Sequence, residues 1–104
     1  MKKIIEQAAK LIMYKGPSIH ELIAEAVMEN KVVKVETKES LTILTIDFIT
    51  AYDTNVTDIY MFNNEKELIK QELRVNKKVK VIFDKYREVE DLLRKIPNQD
   101  VIAS

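Results

Sequence analysis

The segment Leu41–Tyr52, with the sequence LTILTIDFITAY, decides the fold of this chain. It is rich in β-branched and aromatic residues, which favour strands over helices. Leu44, Ile46 and Phe48 fall on one face of such a strand, and the other face mixes apolar with polar side chains. This alternation predicts a β-strand with one buried face.

Two shorter segments flank this strand and show the same alternation. Val33 and Val35 alternate with charged residues ahead of a polar turn, and Val56–Phe62 follows a turn at residues 53–55. Because these turns are too short for crossover connections, the three strands predict an antiparallel meander.

Helical periodicity dominates the N-terminal part of the chain. Apolar residues recur at helical spacing over residues 2–15 and again over residues 19–29. Gly16 and Pro17 separate the two segments, and Ser18 with Glu21 forms a capping pattern at the start of the second. The short connection predicts a hairpin of two antiparallel helices.

The C-terminal part returns to mixed patterns. Asn64 and Glu67 form a second capping pattern, which predicts a short helix continuing through Leu73. Val79–Phe83 alternates with lysines and predicts a fourth strand, and residues 85–96 predict a last helix.

These elements predict an α+β fold in one domain over residues 1–97. Its order is an N-terminal helical hairpin, a three-stranded antiparallel meander, a helix, a fourth strand and a C-terminal helix. Residues 98–104 are expected to be a flexible tail.

Composition limits the chemistry of the chain. It has 104 residues, 17 basic and 17 acidic side chains, one glycine, one histidine and no cysteine. One glycine cannot build a phosphate-cradling loop, and a zinc site is not expected from His20 alone, which we expect to be exposed. We predict no catalytic, cofactor-binding or metal-binding residue and no cofactor.

The lack of cysteine favours a reducing, cytoplasmic location, and no run approaches the roughly 20 apolar residues of a transmembrane helix.

The predicted order helix, three strands, helix, strand resembles the core of the PD-(D/E)xK nucleases. This resemblance implies a metal-dependent nuclease as a remote alternative, with Glu36-Thr37-Lys38 as the acid-x-Lys motif and Asp47 as the second carboxylate. The two carboxylates stand in the reverse of the family's order. Asp58-Ile59-Tyr60 on the third strand lacks the lysine.

The second helix carries an acidic stripe. Glu21, Glu25 and Glu29 are spaced i, i+4, i+8, so they lie on one side of the helix. The stripe predicts an acidic face for a basic protein partner. The alternatives are ion pairs with lysines of the first helix, such as Lys3 and Lys10, or simple solvation.

A basic segment runs from Arg74 to Arg87 and contains one acid, Asp84. Its positions Arg74, Lys77, Lys78, Lys80, Lys85 and Arg87, with Tyr86 among them, are candidates for binding single-stranded nucleic acid. The alternative is that lysines on an edge strand prevent association between sheets.

The last helix presents apolar residues at 3-4-3 spacing. Tyr86, Val89, Leu93 and Ile96 either pack on the sheet or form the seam of a homodimer.

Because no catalytic signature is present, the sequence favours a non-enzymatic protein-interaction or regulatory module whose partner is another protein or a second copy of the chain itself. A nucleic-acid-binding module is the alternative, and no membrane partner is expected.

Overall fold

The computed structural model describes residues 2–96, which form three helices and one five-stranded antiparallel sheet. The strands lie side by side in chain order, with no crossover. The elements are α1 (Lys2–Met13), α2 (Ile19–Met28), β1 (Val32–Lys38), β2 (Leu41–Ile49), β3 (Asn55–Phe62), β4 (Leu68–Val75), β5 (Lys78–Asp84) and α3 (Lys85–Leu93). None of the helices in this range is long and apolar enough to cross a membrane. The predicted tail at residues 98–104 lies outside the described residues.

The predicted α+β class is confirmed, but the meander has five strands rather than three. The prediction of a helix from Asn64 to Leu73 was wrong. Leu68–Val75 is strand β4, which pairs with β3 on one side and β5 on the other. Its backbone hydrogen bonds are therefore made to two neighbouring strands, and this outweighs the helical propensity of its Lys, Gln and Glu residues.

The residues predicted to begin that helix form a turn instead. The Asn63 side-chain oxygen accepts hydrogen bonds from the backbone N–H groups of Glu65 (3.0 Å) and Glu67 (2.9 Å). Lys66 has a positive φ of 63°. An asparagine that bonds the backbone ahead of it is a turn former, so Asn63 reverses the chain between β3 and β4.

The core lies between α2 and one face of the sheet. Leu44 and Phe62 are completely buried there, and Ala26 of α2 packs on the same cluster. The buried face predicted for β2 is thus confirmed. The predicted cap of α2 is also present, since the Ser18 hydroxyl accepts the Glu21 N–H at 3.1 Å.

The predicted hairpin of the first two helices was wrong. Helix α1 packs against α3, whereas α2 packs on the sheet. The connection between α1 and α2 is held at the start of β4, where the Lys15 carbonyl accepts the Leu68 N–H at 2.9 Å. Gly16 (φ 75°) lies so close to Leu68 that an added Cβ would stand 2.7 Å from the Leu68 Cβ. This anchor separates the two helices, and the apolar side of α1 contacts α3 instead.

Candidate protein-binding groove

A narrow groove separates the acidic side of α2 from the sheet. Asp58 pairs with Ile46, and Tyr60 with Leu44, so both β3 residues lie on the core face. The groove has a volume of about 180 Å³. Its lining residues are Leu22, Glu25, Ala26, Glu29, Lys31, Ile46, Asp58 and Tyr60. We call it the acidic groove.

Asp58 is fixed in orientation on the floor of the acidic groove. The Tyr60 hydroxyl donates to one carboxylate oxygen at 3.1 Å, and the Gln71 side-chain amide donates to the other at 3.0 Å. Burial raises the pKa of Tyr60 to about 12, and the charge of Asp58, the hydrogen bond to Asp58 and the charge of Glu25 add to the shift. Tyr60 therefore remains a protonated donor at neutral pH and holds Asp58 in place.

The acidic groove carries more negative than positive charge. Glu29 pairs with Lys31 at 2.9 Å, and the Lys31 ammonium also lies 4.2 Å from the centre of the Phe48 ring. Within residues 2–96, no Lys or Arg lies within 4.0 Å of the carboxylates of Glu25 or Asp58. The carboxylates of Glu25, Glu29 and Asp58 therefore share the groove with one ammonium group, that of Lys31.

The structure divides the acidic stripe between two surroundings. All three glutamates are exposed; Glu25 and Glu29 also line the acidic groove, whereas Glu21 lies one turn earlier on the same side of α2. Among the described ion pairs, none joins this stripe to a lysine of α1. The stripe therefore faces the sheet and solvent.

The structure does not bring the basic segment to one surface. Arg74 lies on the sheet face away from α2 and pairs with Glu72 at 3.6 Å. Lys78 and Lys80 lie on the opposite face, because their register partners are Val75 and Leu73. Lys85 is buried and donates to the Ile12 carbonyl at 2.8 Å. The remaining members, Lys77 in the β4–β5 turn and Arg87 on α3, are both exposed.

The predicted seam on the last helix is not one exposed surface either. Val89 and Ile96 are half-buried, whereas Tyr86 and Leu93 are 60% and 45% exposed. The helix packs mainly on α1 and also contacts strand β4, so the alternative of packing on the sheet is confirmed only in part.

The two carboxylates that the nuclease hypothesis requires at one metal ion, Glu36 and Asp47, are far apart. Glu36 pairs in register with Ile43, four residues along β2 from Asp47, which is roughly 14 Å at about 3.4 Å per residue. Glu36 forms an ion pair with Lys34 (2.9 Å), and Asp47 accepts the Thr57 hydroxyl (2.5 Å). Since the third predicted helix is a strand, the element order that resembled the PD-(D/E)xK core is not found either. The described residues contain no cluster of three or more His, Asp or Glu side chains arranged to hold a metal ion.

No protein-family model, curated protein or solved structure matches this chain. The chain's own geometry is therefore the basis for inferring its function.

Proposed function

We propose that this chain is a non-enzymatic protein-interaction module and that its acidic groove takes a basic segment of a partner protein. The observation that carries the proposal is the pair Glu25 and Asp58. Both carboxylates face one groove, and no cation of the described chain neutralises either. A lysine or arginine side chain from a partner supplies that missing charge.

The acidic groove offers both hydrogen-bond acceptors and apolar surface to such a side chain. Each Asp58 oxygen accepts one hydrogen bond from the chain, and an ionised carboxylate can accept about four in all. Acceptor capacity therefore remains for a guanidinium or an ammonium group. Leu22, Ile46 and the Tyr60 ring supply apolar surface for the aliphatic stem.

We place this module in the cytoplasm, as a sequence without cysteine suggests. The nucleic-acid alternative gains no support from the geometry, because its basic residues are distributed over both sheet faces, a buried position and a separate helix. Binding that is lost on nuclease treatment would restore this alternative.

The proposal is tested by NMR titration of the ¹⁵N-labelled chain with a short peptide of alternating arginine and alanine. We expect amide shifts centred on Glu25, Ala26, Asp58 and Tyr60, which weaken as salt is raised because exposed ion pairs are screened. A Glu25→Gln/Glu29→Gln variant should lose at least about tenfold in affinity, because it removes the carboxylate of Glu25 and leaves the ammonium of Lys31 without its partner in the groove.

The matched control is Glu6→Gln/Glu65→Gln, which removes the same charge at two exposed positions outside the groove. It should bind the peptide like the parent chain. Shifts spread evenly over the surface, or equal losses in the two variants, would show that the groove has no special role.

A further inference from the structure

Strand β1 is an open edge of the sheet. It pairs with β2 on one side, and on its other side no strand of the described chain pairs with it. Its register with β2 runs unbroken over seven residue pairs, and it contains no proline. Val32 and Val35 are 66% and 48% exposed. An exposed, regular edge of this kind is a template for another strand.

The hairpin that joins β1 to β2 determines which backbone groups face outward. Lys38 and Leu41 pair across a two-residue loop, and such a loop is closed by a hydrogen-bonded pair. Hydrogen-bonded and non-hydrogen-bonded pairs then alternate along the ladder. Val33, Val35 and Thr37 therefore direct their N–H and C=O groups away from β2, towards the open edge.

The length and the charges of β1 together favour one way of pairing with a second copy of β1, since only an antiparallel pair centred on Val35 overlaps all seven residues of both strands. An antiparallel pair centred on Lys34 places two lysines directly opposite each other, and a pair centred on Glu36 does the same with two glutamates. Like charges at such positions are unfavourable. A pair centred on Val35 places each Lys34 opposite Glu36 of the other copy, and it joins Val35 to Val35.

The other edge of the sheet lacks these properties. The register between β4 and β5 shifts between Gln71 and Glu72, which leaves a bulge in β5. Lys78 and Lys80 are the charged residues in the first half of β5, so self-pairing about Val79 would set lysine against lysine. Bulges and lysines both discourage edge-to-edge association. Both edge strands carry two lysines, but β1 has no bulge and alternates the sign of its charges at Lys34 and Glu36, whereas β5 has a bulge and only lysines as charged residues in its first half.

We propose that β1 pairs with β1 of a second copy of this chain, antiparallel and centred on Val35, to give a two-fold symmetric dimer with one continuous sheet. The outward N–H and C=O groups of β1 on each copy gain hydrogen-bond partners, and Lys34 and Glu36 of the two copies form a cluster of alternating charge. The two-fold axis is perpendicular to the sheet, so both α2 helices lie on the same face. Both acidic grooves remain open, because Glu25 and Glu29 lie on the side of α2 that faces β3. The dimer is independent of what the grooves bind.

Sedimentation velocity over a dilution series tests the pairing. The parent chain should sediment as a dimer that dissociates on dilution. Lys34→Glu and Glu36→Lys should each weaken the dimer about tenfold or more, because each variant sets like charges opposite each other twice. An equimolar mixture of these two variants should restore the dimer as a heterodimer, and so should the double variant Lys34→Glu/Glu36→Lys. The matched control, Lys78→Glu/Lys80→Glu on the other edge, should leave the mass unchanged.

Cysteine cross-linking locates the contact. The chain has no cysteine of its own, so Val35→Cys can form a disulfide only where two copies bring residue 35 together. Val79→Cys, at a similarly exposed valine on β5, is the control and should stay reduced under the same mild oxidation. A monomer mass at every concentration would overturn the proposal. So would a dimer that is indifferent to Lys34→Glu, a mixture of charge variants that stays monomeric, or faster cross-linking through residue 79.

Discussion

Tyr60 is the side chain whose ionisation the fold changes most clearly. Its pKa is raised to about 12 by burial first, and then by the charge and hydrogen bond of Asp58. In an ultraviolet absorbance titration we expect one tyrosine to ionise near that value, well above the value of about 10 that is ordinary for a tyrosine in an unfolded peptide. In Asp58→Asn the late transition should move to lower pH. A late transition that survives Tyr60→Phe would assign the shift to another residue.

The raised pKa of Tyr60 also sets the direction of a pH effect on stability. The folded state keeps the proton to higher pH than the unfolded state, so the unfolded state binds fewer protons above its own pKa. The contribution of Tyr60 to stability is therefore complete below pH of about 10 and is lost as pH rises towards about 12. In urea unfolding, Tyr60→Phe should show a smaller loss of stability than the parent chain across that window.

Lys85 links two elements through one buried contact. Its ammonium donates to the Ile12 carbonyl in the last turn of α1, where helix carbonyls lack intrahelical partners and a cation is favourable. Lys85→Met keeps much of the side-chain volume and leaves that carbonyl without its donor. We expect a loss of about 2 kcal/mol in the free energy of unfolding, measured with urea.

The control for Lys85 is Lys95→Met, which removes a lysine at an exposed position just beyond the end of α3. It should change the free energy of unfolding by less than about 0.5 kcal/mol. Equal losses in the two variants would mean that the contact between Lys85 and Ile12 contributes nothing specific.

At the scale of elements, the sequence predicts what local patterns encode and fails where neighbours decide. The alternation of Leu44 and Ile46 and the cap at Ser18 are local, and both were predicted correctly. Strand β4 was missed because a strand paired on both sides need not show a strong apolar alternation. Asn76, at φ 57° in the β4–β5 turn, was the available signal, since asparagine with positive φ is typical of tight hairpin turns.

The acidic groove was predicted only in part for the same reason. The periodicity of Glu25 and Glu29 on one side of α2 was visible in the sequence. Their convergence with Asp58 and Gln71 was not, because Gln71 was assigned to a helix. Asp58 alternates with Tyr60 and Phe62 along β3, which places a carboxylate on the core face of the sheet. A carboxylate on the core face of a sheet needs hydrogen-bond donors, and Tyr60 and Gln71 each supply one to Asp58.

At the scale of the whole molecule, a net charge of zero conceals two separate regions of charge. The acidic groove lies between α2 and β3, whereas Lys78 and Lys80 lie on β5 at the far side of the same face. Lys80 is two strands from Asp58, roughly 10 Å at a spacing of about 4.8 Å per strand. In the described part of the chain, neither of these lysines forms an ion pair with Asp58. The groove therefore remains acidic in a neutral protein.

The most direct test of the proposed function is affinity capture from host lysate with the tagged full chain, with and without nuclease, followed by quantitative mass spectrometry. We expect a stoichiometric protein partner that survives nuclease, that Glu25→Gln/Glu29→Gln reduces by at least about tenfold, and that Glu6→Gln/Glu65→Gln retains. A partner lost with nuclease would instead support the nucleic-acid alternative. A partner captured equally by all three chains would contradict the assignment of the acidic groove as the binding site.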